Sequence, residues 1–213
     1  MMEETFNSGG VRGVMHRPEK PGGGALALTH GAGSNSNAPL LVSLARGFAG
    51  AGLLVLRYDL PFRQLRAGGS PHPSGAARDR DGVAQAVAAI RALAPGPIYA
   101  GGHSYGGRQT AMAAAERPGL ADALLLLSYP LHPPAKPEQK RTGYFPDLRV
   151  PALFVHGAKD PFGTPEELRV AIAAIPARTD VLLVEGAGHD LKKAASSALL
   201  IWSRLQDLLG SRQ

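Results

Sequence analysis

The stretch Pro97-Ile98-Tyr99-Ala100-Gly101-Gly102-His103-Ser104-Tyr105-Gly106-Gly107 runs from a short apolar segment into a long Ala-rich one. Within it, Gly102 to Gly106 spells Gly-x-Ser-x-Gly on what reads as a strand-to-helix turn. A serine on so sharp a turn projects its hydroxyl clear of the sheet. Glycine two positions to either side leaves room for backbone that a Cβ would occupy. The stretch therefore predicts a nucleophile at Ser104. In a chain with 27 Gly the five-residue pattern also arises by chance, so its surroundings decide its meaning.

Those surroundings alternate short apolar runs with helical stretches. Ala25 to Thr29, Leu53 to Tyr58, Pro97 to Ala100, Ala123 to Ser128, Ala152 to His156 and Val181 to Val184 are continuous apolar runs bounded by Gly, Pro or Asp. Runs apolar on both faces predict parallel strands covered from both sides. Between them, Val83, Val87 and Ile90 fall at helical spacing, as do Leu168, Ile172 and Ile175. The latter set follows Thr164-Pro165-Glu166-Glu167, an N-cap, a first-turn proline and a capping-box glutamate in order. Ala198, Ile201, Trp202, Leu205 and Leu209 predict a final amphipathic helix. Near the start, Asn7-Ser8-Gly9-Gly10 joins two segments as a hairpin. The pattern is α/β, with a doubly wound sheet.

In such sheets the reacting groups gather on loops leaving the carboxyl ends of strands. A serine hydroxyl needs a base to take its proton, and the base needs a carboxylate to fix its tautomer. After Ala152 to His156 comes Gly157-Ala158-Lys159-Asp160-Pro161, and after Val181 to Val184 comes Glu185-Gly186-Ala187-Gly188-His189-Asp190. Asp160 and His189 are the expected partners of Ser104. Asp180 precedes its strand, at the wrong end of the sheet, and Asp190 lies too near His189 to come from a separate strand end. An oxyanion hole would take the amide of Tyr105 and one from His30-Gly31-Ala32-Gly33, for which Ala32 is the expected donor. His30 and His156 read as structural imidazoles, and His103 as pointing away from the nucleophile.

Two further segments bear on the pocket. Leu60 to Arg80 reads as a loop leaving a strand end, whose Arg63 and Arg66 either meet an anionic substrate or are simply solvated. Tyr129 to Val150, rich in Pro and charge, is too short and polar for a helical cap.

Bulk properties narrow the class. The length of 213 residues suits one domain over 1–213. With no Cys, disulfides, thiolate zinc sites and a cysteine nucleophile are excluded. Met1-Met2-Glu3-Glu4 carries acid where a secretory signal needs basic charge, and no apolar run approaches the roughly 20 residues that span a bilayer. A cytoplasmic protein without a membrane partner is expected. The net charge of +6 is spread along the chain without a basic block or interleaved aromatics, so no nucleic-acid partner is expected. No H-x-x-x-H or carboxylate cluster calls for a metal, and no cofactor is expected.

The whole chain resembles the α/β-hydrolase superfamily. More narrowly it resembles small dienelactone-hydrolase-like proteins, which include the hydrolase-like domain of a chromatin-associated NSL complex subunit and its testis-expressed relatives. The narrower resemblance rests on His30-Gly31-Ala32-Gly33, Arg57-Tyr58-Asp59, Gly101 to Arg108 and Ser128-Tyr129-Pro130-Leu131-His132-Pro133. It implies an α/β-hydrolase fold, with a mostly parallel eight-stranded sheet, helices on both faces and a Ser104, Asp160, His189 triad. Dienelactone hydrolases proper use a cysteine nucleophile, so their substrate does not carry over. The expected activity is hydrolysis of a small-molecule carboxylic ester of short or medium acyl chain. The same residues would also serve a peptidase, thioesterase or acyltransferase, and some relatives look like non-catalytic scaffolds. The oligomeric state is left open.

Overall fold

A computed structural model describes residues 1–192 and 194–210. Eight strands form one sheet: β1 Met2–Ser8, β2 Val11–Arg17, β3 Ala25–Thr29, β4 Leu54–Tyr58, β5 Ile98–His103, β6 Ala123–Leu127, β7 Ala152–Gly157 and β8 Thr179–Val184. Their order across the sheet is β1-β2-β4-β3-β5-β6-β7-β8. The β1–β2 and β2–β4 pairs are antiparallel and all others are parallel. The predicted hairpin and all six predicted strands are present, with ends displaced by up to three residues.

The helices are α1 Pro39–Gly50, α2 Pro61–Leu65, α3 Ala76–Arg91, α4 Tyr105–Glu116, α5 Pro165–Ile172 and α6 Ala198–Gly210. Burial explains why the strand runs are apolar throughout. Along β3, Ala25 and Ala27 pack with α3 residues Val83, Ala86, Val87 and Ile90 on one face. Leu26 and Leu28 pack with α1 and α6 residues Leu41, Leu44, Ile201 and Trp202 on the other. Side chains alternate across a strand, so a sheet covered twice needs apolar residues at every position.

Several expectations need correction. Leu60 to Arg80 is not one loop. It holds the short α2, a 3-10 turn at Pro73–Gly75 and the first turn of α3. Proline at the start of α2 and of the 3-10 turn sets a helical φ where no amide donor is needed. Helix α1 adds to the predicted elements; its Leu41, Leu44, Ala45 and Phe48 keep helical spacing and are buried. Helix α5 carries the expected capping box, with Thr164 and Glu167 bonding reciprocally. It stops at Ile172, so Ile175 is buried beyond its end. Between β6 and β7 the chain makes only the 3-10 turn Phe145–Asp147, and no substantial cap covers the sheet.

The topology fixes where a site can form. Strand β3 pairs with β4 on one side and β5 on the other, so the chain reverses its winding direction between β3 and β5. The loops leaving β3 and β5 diverge there and open a crevice at their carboxyl ends.

Candidate active site

Ser104 occupies that crevice. It sits between β5 and α4 with φ 52° and ψ −115°, a conformation that L-residues avoid. Close packing imposes it. A Cβ on Gly102 would lie 2.7 Å from Gly106 C and Gly107 N, and one on Gly107 would lie 2.6 Å from Gly102 O. Both are impossible contacts. Strand and helix meet backbone to backbone, and the one residue between them turns outward.

Ser104 Oγ donates to His189 Nε2 at 2.8 Å. On the other side of the imidazole, Nδ1–H donates to Asp160 at 2.8 Å to Oδ2 and 3.0 Å to Oδ1. Asp160 follows β7 and His189 follows β8, so residues 85 and 29 apart meet because parallel strands deliver them to one edge. Burial pushes the Asp160 carboxyl upward, but the hydrogen bond and charge of His189 and the Phe162 amide outweigh it. The carboxyl is held below its ordinary value, and it stays an acceptor. Asp180 pairs with Arg204 at 2.9 Å and Asp190 with Lys192 at 3.1 Å, so neither competes for the imidazole.

Neighbouring groups hold His189 in place. The Phe162 ring lies against it, centroids 4.1 Å apart. His103 does turn from Ser104, and it tethers the loop carrying the base, because its Nε2–H donates to the His189 carbonyl at 2.7 Å. Burial depresses the His103 imidazole, which keeps it neutral. His30 and His156 are buried and hydrogen-bonded, His30 through Gly31 O and the Leu60 amide, His156 through Gly163 O.

The loop after β3 lies against the serine. A Cβ on Gly31 would sit 3.0 Å from His103 Nδ1 and 3.5 Å from Ser104 Cβ, so Gly31 lets this backbone approach. Ala32 comes next on that loop, and Tyr105 opens α4, where first-turn amides lack intrahelical acceptors. The loop is fastened from below. Asp59 accepts the Ser36 amide at 2.7 Å, and the Arg57 guanidinium bonds the Ser36 carbonyl and Asn37 Oδ1. That gives Arg57-Tyr58-Asp59 a physical role.

Arg63 is buried, with its guanidinium committed to main-chain carbonyls: Ser34 at 2.8 Å, Ala32 and Gly69 at 2.9 Å, and Arg66 at 3.3 Å. These four bonds engage all three guanidinium nitrogens within the protein, and they clamp the β3 loop. Arg66 is exposed and bonds Ser70 O at 3.2 Å. The Arg63→Ala variant is expected to lose about 2–4 kcal/mol of stability. Any hydrolytic kcat should fall about tenfold to a hundredfold with a smaller change in KM, because the β3 loop that lies against Ser104 loses its position. Arg63→Lys should not rescue kcat, since a compact ammonium cannot span diverging carbonyls. Equal kcat in wild type and Arg63→Ala would contradict this placement.

One anchoring residue left no mark in the sequence. Asp79, buried on α3, accepts from the Phe62 amide at 3.0 Å and the Tyr105 hydroxyl at 2.7 Å. An acid in the first turn of a helix otherwise reads as a solvated group.

A cavity of about 460 Å³ opens between the start of α1 and the segment after His189. Ala38, Pro39, Leu40 and Leu41 line it together with His30, His103, Ser34, Ser43, Asp190 and Lys192. Among the described residues, no group of three or more His, Asp or Glu is arranged to hold a metal. No described helix is long and apolar enough to cross a membrane. Chemically, the hydrogen-bonded line can move a proton from the serine hydroxyl to an imidazole whose positive charge a buried carboxylate stabilises.

Solved structures share this architecture at low sequence identity. TT1662 from Thermus thermophilus superposes with a TM-score of 0.76 at 21% identity over 100% of both chains. An alpha-beta serine hydrolase homologue from Coxiella burnetii gives 0.74 at 15%, over 96% of this chain and 97% of its own. Dienelactone hydrolase from Anabaena variabilis gives 0.73 at 20%, over 97% and 96%. Such likeness establishes the fold. The model of the alpha/beta hydrolase domain matches residues 23–209, from just before β3 through nearly all of α6. Sheet order, elbow and family match agree, and the chain belongs to the α/β-hydrolase family.

Proposed function

We propose that this protein is a serine hydrolase that cleaves a carboxylic ester through an acyl-enzyme. The observation that carries the proposal is the hydrogen-bonded line from Ser104 through His189 to Asp160, built around a strained serine. His189 Nε2 takes the Ser104 proton as Oγ attacks the ester carbonyl. Asp160 holds Nδ1–H and the imidazolium charge. The amides of Ala32 and Tyr105 receive the oxyanion. His189 then gives its proton to the leaving alkoxide, and water attacks the acyl-serine by the same relay in reverse. The protein would act as one domain over 1–213, in the cytoplasm.

The apolar cavity beside His103 supports short or medium acyl or alkyl groups, since about 300–1,000 Å³ is the usual size of small-ligand pockets. The serine hydrolase homologue and the dienelactone hydrolase among its structural neighbours support hydrolytic chemistry. Affinity to the NSL-type subgroup rests on the His30 to Gly33, Arg57 to Asp59, Gly101 to Arg108 and Ser128 to Pro133 segments. A fluorophosphonate probe tests the proposal directly. Covalent labelling at Ser104, found by peptide mapping, together with turnover of nitrophenyl esters, is the expected result. An unlabelled Ser104 in folded protein, with no ester turned over, would refute it.

A further inference from the structure

Ser104 and the residue before it grip His189 at two points. The Ser104 hydroxyl meets the imidazole at Nε2, 2.8 Å away, and His103 Nε2–H donates to the His189 main-chain carbonyl at 2.7 Å. The first contact sets one distance and leaves the ring free to swing about it. The second fixes the backbone from which that ring projects. Both grips come from consecutive residues, since His103 ends β5 and Ser104 follows it.

The base needs such a hold. His189 stands five residues beyond the end of β8, on a connecting segment, the more mobile part of a fold. Its other fastenings all come from the end of β7 and the loop that follows. Asp160 holds Nδ1–H at 2.8 Å, and the Phe162 ring lies 4.1 Å away between centroids. Further back, the Ala158 amide bonds Val184 O at 3.2 Å and the Lys159 amide bonds Ala187 O at 2.9 Å. These contacts tie the base to the acid. The His103 bond ties its main chain to the nucleophile.

That bond also fixes the chemistry of His103. A carbonyl only accepts, so Nε2 carries the proton and Nδ1 the lone pair. Burial holds the imidazole below its ordinary value, and it donates without carrying charge. Its ring centroid is 5.3 Å from that of His189, where a second cation would oppose the imidazolium formed during proton relay. Catalytic groups must be held within about 0.5 Å of their working positions by residues that are themselves locked. We propose that His103 is a positioning residue for the reaction, its Nε2–H holding the main chain of the catalytic base in register with the serine. This placement rests on the serine-hydrolase proposal and adds to it a residue that acts through His189.

Three variants test it. His103→Leu fills similar space without a donor, His103→Gln carries an N–H about as far out as the imidazole Nε2–H, and the amide of His103→Asn stops short. The substrate is 4-nitrophenyl acetate, whose small acyl group depends least on the cavity that His103 also lines. In His103→Leu and His103→Asn, kcat should fall about tenfold to a hundredfold with a smaller change in KM, and His103→Gln should recover most of the loss. Labelling of Ser104 by a fluorophosphonate should slow in the same order. If His103→Leu does not fold, His103→Asn carries the comparison. A wild-type kcat in the folded Leu and Asn variants, whatever their Tm, overturns the positioning role. So does an equal loss in all three variants, which assigns the effect to packing. Where wild type neither hydrolyses the acetate nor labels at Ser104, the hydrolase proposal fails and amide hydrogen exchange judges His103. Exchange over residues 185–192, relative to β3 and β6, should then be about tenfold faster in the Leu and Asn variants than in wild type and His103→Gln. Unchanged relative exchange overturns the placement.

Discussion

Ser104→Ala is expected to abolish ester turnover, lowering kcat by about 10⁶, while the protein folds with its secondary structure intact. At about 1.4 kcal/mol per tenfold this is roughly 8 kcal/mol of transition-state stabilisation. The size follows from the line of groups. Without Oγ there is no acyl-enzyme, and the His189–Asp160 pair, although still 2.8 Å apart, has no proton to relay. A stability measurement separates this loss from misfolding. Ser104 is held at φ 52°, ψ −115°, where a Cβ is strained. Ser104→Gly should therefore be as inactive as the alanine variant yet more stable, by about 1 kcal/mol or more. For a chain of this size that appears as a rise of a few degrees in Tm. Equal turnover by wild type and Ser104→Ala would remove the serine from the mechanism altogether.

The largest effect on stability is expected two residues away. Gly106 faces the end of β3, and a Cβ there would run into the His30 carbonyl and lie 2.7 Å from Thr29 Cγ2. Neither neighbour can yield cheaply. The His30 carbonyl belongs to main chain, and Thr29 is fully buried with its hydroxyl bonded to Tyr58 O at 3.0 Å. Gly106→Ala should cost about 3 kcal/mol or more, at the upper end of overpacking effects. The expected fall in Tm is about 10 °C, measured by calorimetry. Activity should fall with it, because α4 can make room only by shifting the Tyr105 amide and Ser104. By contrast a Cβ on Gly33 or Gly68 meets nothing within 4 Å, so alanine there should leave Tm within about 1–2 °C of wild type. Comparable losses at Gly106 and Gly68 would contradict the steric account.

Much of the fold is legible in the chain because apolar periodicity is a local property. Ala25 to Thr29 and Ala123 to Leu127 read as strands since every position on a doubly covered sheet must be apolar. Helix α5 reads clearly because Thr164-Pro165-Glu166-Glu167 encodes its own start. Helix α1 is legible in principle from Leu41, Leu44, Ala45 and Phe48, but it follows the Gly- and Asn-rich turn Gly31 to Asn37, whose loop signal masks its start. The Leu60 to Arg80 segment misleads for a related reason. Its Gly and Pro residues mark breaks between short helices as readily as they mark a loop.

The elbow, the strand ends carrying Asp160 and His189, and the lack of a cysteine nucleophile can all be read from the chain, because each depends on residue type and near neighbours. What surrounds them is set by folding. It turns Arg63 inward onto the Ala32 and Ser34 carbonyls, sets His103 against the His189 carbonyl, and buries Asp79 under Tyr105. A charged side chain spells the same whether it is solvated or clamps a loop. Which of these it does depends on the residues distant in sequence that the parallel strands bring to one edge of the sheet.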